Sequence, residues 1–164
     1  MKYSGHFIFA LSTIIIVNKI YFFNNFCKII FFKSILGCIF TCFLPDLDHP
    51  NSIIGKKLKY ISILFYKLFG HRGFTHSILS IIIFYYILNL IILLNIKISN
   101  YLIYFMTIGY TSHIIADMFT YQGVPLLWPL KWKFSFFLFK KKYIYKEEKI
   151  CFLFFIFSII YYYL

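Results

Sequence analysis

Acidic and imidazole side chains are scarce in this chain, and they are not scattered. Three Asp and five His occur in 164 residues, and seven of these eight fall in the windows 45–50, 71–76 and 113–117. The first window, PDLDHP, holds Asp46, Asp48 and His49. Carboxylates crowded this closely repel, and a bound cation relieves the repulsion. The competing reading is a polar capping turn, since Asp and Pro both suit turns. The second window lies in GHRGFTHS, where His71 and His76 flank the sole arginine, Arg72. Gly70 and Gly73 permit a sharp turn there, and Thr75 or Ser77 can cap a following helix. The third window, in SHIIAD, holds His113 and Asp117. A separation of four puts both on one helix face. That pair suits a metal, and it equally suits a His–Asp hydrogen bond between helices. His6 stands apart, as a further ligand or as an interfacial group.

Four His and three Asp match one or two divalent cations, with zinc, manganese and magnesium as the candidates. Such an ion acidifies its water and polarises an ester or phosphoryl oxygen. Asp46, Asp48, His49, His113 and Asp117 are the expected ligands, and some of them can instead orient the others. His71 and His76 complete the shell or shuttle a proton. Arg72 is expected to fork onto an anionic substrate oxygen. His71, Arg72 and His76 are therefore the candidate catalytic residues. No GxSxG nucleophile motif is present, and Gly55-Lys56 lacks the spacing of a phosphate loop. Cys27, Cys38, Cys42 and Cys151 show no paired spacing and read as small buried hydrophobes.

The elements that must position these groups are apolar. Hydrophobic residues make up 62% of the chain and aromatics 24%, and mean hydropathy is +0.80. That composition excludes a disordered tail, a disulfide scaffold and an ordinary water-soluble enzyme. Apolar stretches at 7–23, 29–44, 77–96 and 101–119 read as membrane spans. Pro45 stops the second, and the uncharged 77–96 is the strongest. A fifth stretch, 150–164, is 15 residues long and short of a full crossing at about 1.5 Å per residue. Leu58, Ile61, Leu64, Phe65 and Leu68 fall at helical spacing, as in an amphipathic helix lying in the interface. Trp128 and Trp132, beside lysines, suit the headgroup level. The expected fold is all-α: one membrane-embedded domain, 1–164, forming a helical bundle of four to five spans with one interfacial helix.

This topology joins the three windows. The first begins the loop 45–76, the second ends it, and the third lies where span four enters the loop 120–149. All lie at one membrane face, with His6 at the start of span one. Lysines concentrate in the same two loops, so this face is cytoplasmic by the positive-inside rule. Lys19, Lys28 and Lys33 lie toward the other side and weaken that assignment. The net charge of +12 comes from 17 basic and 5 acidic residues. With one Arg, two Ala and abundant Ile, Phe, Tyr, Asn and Lys, it reflects compositional drift and membrane-surface charge more than nucleic-acid binding. Membrane lipid is the expected partner, and no DNA-reading motif occurs.

PDLDHPNSIIG, GHRGFTHS and SHIIADMFTYQGVPLLWPL resemble the YdjM-type inner-membrane proteins. The likeness runs from Ser4-Gly5-His6 through Trp132. That family is described as membrane-bound metal-dependent hydrolases, with a LexA-linked label in bacteria. The resemblance implies an inner-membrane, multi-pass hydrolase whose polar positions are His6, Asp46, Asp48, His49, His71, His76, His113 and Asp117. It carries no substrate. A site at headgroup depth suits a lipid or lipid-linked ester or phosphoester. Two other classes compete. One is a non-catalytic scaffold or regulator acting through the basic loops, and the other is an ion or proton pathway.

Overall fold

A computed structural model describes residues 1–22, 28–94, 98–136 and 144–164. Among these the chain is helical: α1 (Tyr3–Phe22), α2 (Lys28–Thr41), α3 (Ile53–Lys57), α4 (Lys59–Phe69), α5 (Ile78–Leu93), α6 (Asn100–Met118) and α7 (Ile144–Tyr163). Two 3₁₀ turns, Leu44–Asp48 and Phe74–His76, carry the first two polar windows. Among the described residues the β structure is one isolated bridge, Val124 to Phe134. Cys27 and Lys140 to Lys142 lie outside the described residues.

α6 is the central element and packs against α1, α2 and α5, while α7 lies on α1. The approach of α2 to α6 depends on glycine. A Cβ on Gly109 would lie 2.2 Å from the Cys38 carbonyl oxygen, and one on Gly37 would lie 2.6 Å from Leu102 Cδ1. Small residues let backbones of apolar helices come together where hydrophobic collapse supplies no force. Thr41 then donates across the gap to the Met106 carbonyl at 2.7 Å. One turn beyond Gly109, this contact brings His113 to the end of α2.

The chain leaves α2 through Pro45, which occupies the first turn of its 3₁₀ helix, as its fixed φ allows. Ser52 caps α3 by accepting from the Gly55 N–H at 2.8 Å. Ser77 caps α5, accepting from the Ser80 N–H at 3.2 Å. Between them, Gly70 at φ +73° and Arg72 at φ +56° turn the chain back. Arg72 is a non-glycine residue held in a left-handed conformation, which costs about 1 kcal/mol or more. Tyr110 Oη donates to the Thr75 carbonyl at 2.7 Å and ties this turn to α6.

The expected four to five spans are not matched one for one. Among the described residues, Tyr3–Ile20 alone is long and apolar enough to cross a membrane by length and composition. The strongest expected span, 77–96, forms a described helix of 16 residues, about 24 Å against a hydrocarbon core of about 30 Å. α6 has 19 residues, but it spends several on polar groups turned into the bundle. α2 has 14 residues and carries Lys28 and Lys33. α7 is longer than the 15-residue tail read from the sequence, because its first turns take in Lys146 to Lys149. A window of apolar residues reports composition, whereas caps and prolines decide where a helix ends.

The amphipathic stretch forms a helix, α4. Leu58, Ile61, Leu64 and Leu68 are exposed, while Ser62 is buried. Trp132 is exposed, but Trp128 packs edge-on against Phe69 and Phe74. Cys38, Cys42 and Cys151 are buried, as small hydrophobes.

Candidate metal centre

The three polar windows meet at one end of the bundle. Asp117 is the hub. Its Oδ1 accepts from Arg72 NH2 at 2.9 Å and lies 3.2 Å from the Met1 amino group and 3.5 Å from His6 Nε2. Its Oδ2 lies 3.5 Å from His76 Nε2 and 3.8 Å from His113 Nε2. Asp46 Oδ1 is 3.6 Å from that same His113 nitrogen. The rings of His6 and His113 stack with centroids 3.7 Å apart, and His76 meets His113 edge-on at 5.2 Å. His6, His76, His113, Asp48 and Asp117 are all buried.

Asp48 arranges the imidazoles rather than joining them. Its Oδ2 accepts from the Arg72 backbone N–H at 2.8 Å and from Thr75 Oγ1 at 2.6 Å. His76 Nδ1 lies 3.3 Å from that oxygen, and His71 Nδ1 lies 3.1 Å from Oδ1. Burial alone would raise the Asp48 pKa. The contacts with His71, His76 and Thr75 outweigh it and hold this carboxyl well below the usual range. Burial likewise would lower the His76 pKa, but the Asp117 and Asp48 carboxylates on either side push it up to about 9. A proton on His76 thus offsets charge that a cation would otherwise offset.

Tautomers follow from the partners. His113 Nδ1 lies 2.7 Å from the Cys42 carbonyl oxygen. A carbonyl only accepts, so Nδ1 carries the hydrogen and the Nε2 lone pair faces the carboxylates. His6 Nδ1, His76 Nε2 and His113 Nε2 are buried with no hydrogen-bond partner among the described residues. Buried polar atoms are almost always satisfied, so three orphaned ring nitrogens together call for an explanation. The donor set supplies one. His6, Asp46 and His113 place ligand atoms within 4.8 Å of one another, and so do His76, His113 and Asp117. Imidazole nitrogens mixed with carboxylate oxygens fit a divalent cation, and these buried groups could hold one.

A family model described as YdjM inner membrane protein matches residues 1–164. The chain belongs to the YdjM family. It is 37% identical over 134 residues to "Inner membrane protein YdjM" of Escherichia coli K12, covering 82% of this chain and 68% of that protein. The protein of the same name from Shigella flexneri matches to the same extent. "Uncharacterized protein YvsG" of Bacillus subtilis is 40% identical over 86 residues, covering 52% of this chain and 51% of that one. No solved structure matches.

In this YdjM-family chain, five of the expected ligands converge: His6, Asp46, His76, His113 and Asp117. Three expected residues stand outside both groups. Asp48 holds rings from behind, His71 rests on Asp48 at the surface, and His49 lies beside His71 with ring centroids 4.7 Å apart. Arg72 was expected to fork onto substrate. Instead NH2 is spent on Asp117 and NH1 on Thr120 Oγ1 at 3.0 Å, with the Gly123 carbonyl at 3.4 Å. Thr75, Thr120 and the Cys42 carbonyl are further members that sequence reasoning missed. Thr75 and Thr120 adjoin polar windows, which was a usable signal. The Cys42 carbonyl carried none, since every residue has one.

Proposed function

We propose that this chain is a membrane-embedded, metal-dependent hydrolase acting on an ester or phosphoester at one face of the inner membrane. The observation that carries the reading is that His6, His76 and His113, each with an unpartnered buried ring nitrogen, belong with Asp46 and Asp117 to two groups whose ligand atoms lie within 4.8 Å of one another, at the end of an apolar bundle. The two-His sets fit zinc or manganese better than magnesium, which prefers oxygen ligands. When bound, such an ion would polarise the scissile group's oxygen and supply an acidic water.

The chain's own residues prepare that chemistry. The Cys42 carbonyl fixes the His113 tautomer, Asp48 with Thr75 sets the His76 ring, and Arg72 holds Asp117. Outer partners of this kind orient ligands and raise their basicity. His71 is the imidazole at the surface, 36% exposed. With Nδ1 donating to Asp48, its Nε2 is free to take up or deliver a proton.

The membrane placement rests on the outward faces. Phe32 and Phe40 on α2, Tyr86, Leu90 and Leu93 on α5, and Phe152, Leu153 and Phe157 on α7 are all exposed. Apolar belts on several helices suit acyl chains rather than water. On this reading α1, α2, α5, α6 and α7 form the multi-pass bundle, α4 floats in the interface, and the relatives' inner-membrane location extends to this chain. The test is elemental analysis of the chain purified from membranes, paired with hydrolysis of chromogenic esters and phosphoesters. About one equivalent of zinc or manganese, lost in His113→Ala together with turnover, is the expected result. Metal-free protein that gains none on incubation with either ion would end the reading.

A further inference from the structure

A cavity of about 290 Å³ lies beside the candidate metal centre, between the start of α1, the end of α2, the PDLDHP turn and α3. Tyr3, Phe43, Asp46, His49, Ile53 and Lys56 are among its lining residues. Of the five converging residues, His6, His76, His113 and Asp117 are sealed at 1% exposure or less, whereas Asp46 is 22% exposed. Asp46 is therefore the door. Among the five converging residues that carboxylate is the one open to the outside, and the cavity is the space in front of it.

The lining has two characters. Lys56 brings a positive charge, and His49 brings a ring whose partner is another imidazole, His71. Lys56 falls in neither metal group, and Arg72, the chain's only guanidinium, is already committed to Asp117 and Thr120. The Met1 amino group also lines the cavity but is paired with Asp117, so among the described lining residues Lys56 is the cation left to meet an incoming anion. Tyr3 and Ile53 are exposed apolar members of the lining, and Tyr3 begins α1, the helix long and apolar enough to cross a membrane.

We infer that this cavity is the substrate site and that its ligand is the phosphoester group of an amphiphile, with the phosphate against Lys56 and the apolar part over Tyr3 and Ile53. This rests on the hydrolase reading for the chemistry at Asp46, but the binding half stands without it.

The test is a phosphorus NMR titration of the full chain in maltoside micelles with octylphosphonate and methylphosphonate, alongside metal content. Octylphosphonate is expected to bind about tenfold or more tighter than methylphosphonate, and Lys56→Glu to weaken it about tenfold or more. Lys56→Arg should keep affinity within about twofold. Metal content should be equal in all three proteins, because Lys56 lies outside both groups. Unchanged affinity in Lys56→Glu overturns the cavity assignment. Equal affinity for the two phosphonates overturns the amphiphile and assigns a soluble phosphoester. A wild type that takes up neither zinc nor manganese on incubation yet binds octylphosphonate through Lys56 defeats the hydrolase reading and leaves the cavity standing.

Discussion

The two ends of the polarity scale have changed places in this molecule. At the junction of α2, α6 and the two 3₁₀ turns, Asp48, His76, His113 and Asp117 are buried without water contact. Along the flanks of α5, Leu90 is 55% exposed and Leu93 is 76% exposed. A water-soluble domain spends its stability keeping such groups the other way round. On the proposed membrane-embedded reading, the surroundings of the flanks are as apolar as the core, and hydrophobic burial is then not what gathers the helices. Close packing at Gly37 and Gly109 and the polar network at the junction must do it. The site and the glue of the bundle are then largely the same residues.

The sharpest way to break that contrast is at Asp117. Asp117→Ala leaves Arg72, the Met1 amino group and three imidazoles without their carboxylate and is expected to cost about 3–5 kcal/mol, as when one partner of a buried pair is removed. Thermal unfolding in detergent measures it, and a loss under about 1 kcal/mol would show that the junction does not hold the bundle. Next comes the flank. Ile87→Lys is a harmless change on a water-facing surface, but it costs about 3 kcal/mol at the centre of a lipid-facing helix. Failure to integrate into membranes is the expected outcome, whereas soluble, folded protein would abolish the inversion. At the helix contact, Gly109→Ala places a methyl against the Cys38 carbonyl, and a loss of about 1–3 kcal/mol should follow with the candidate ligands untouched. Smallest is Thr75→Val, which removes the hydroxyl bonded to Asp48. About 1 kcal/mol of stability should go, and metal affinity should fall about 10-fold to 100-fold as the His76 ring loosens. A competition titration with a chelator reads that change, and unchanged affinity would deny Asp48 its orienting role.

The converging groups were legible because their residue types are rare. His6, Asp46, His76, His113 and Asp117 could be listed before any helix was placed, and their helical order put them at one end. Roles were less legible. Arg72 looked like a substrate clamp because a guanidinium suits phosphate, but only its surroundings show that Asp117 and Thr120 already occupy it. Asp46 and Asp48 are two residues apart in one turn, yet one faces a cavity and the other faces two histidines. Such a distinction depends on the direction of each side chain from a 3₁₀ turn, which composition does not encode.

Read alone, the 164 letters determined an all-helical apolar chain and a short roster of groups able to hold a cation. Both follow from side-chain type and local periodicity, which act over a few residues. The folded chain decided helix lengths, the partner of Arg72, the hydrogen on His113 and the exposure of Asp46. These depend on atoms as much as 71 residues apart, as between His113 and Cys42. Contacts at that range come from packing, where one glycine at α6 sets how near two helices can come.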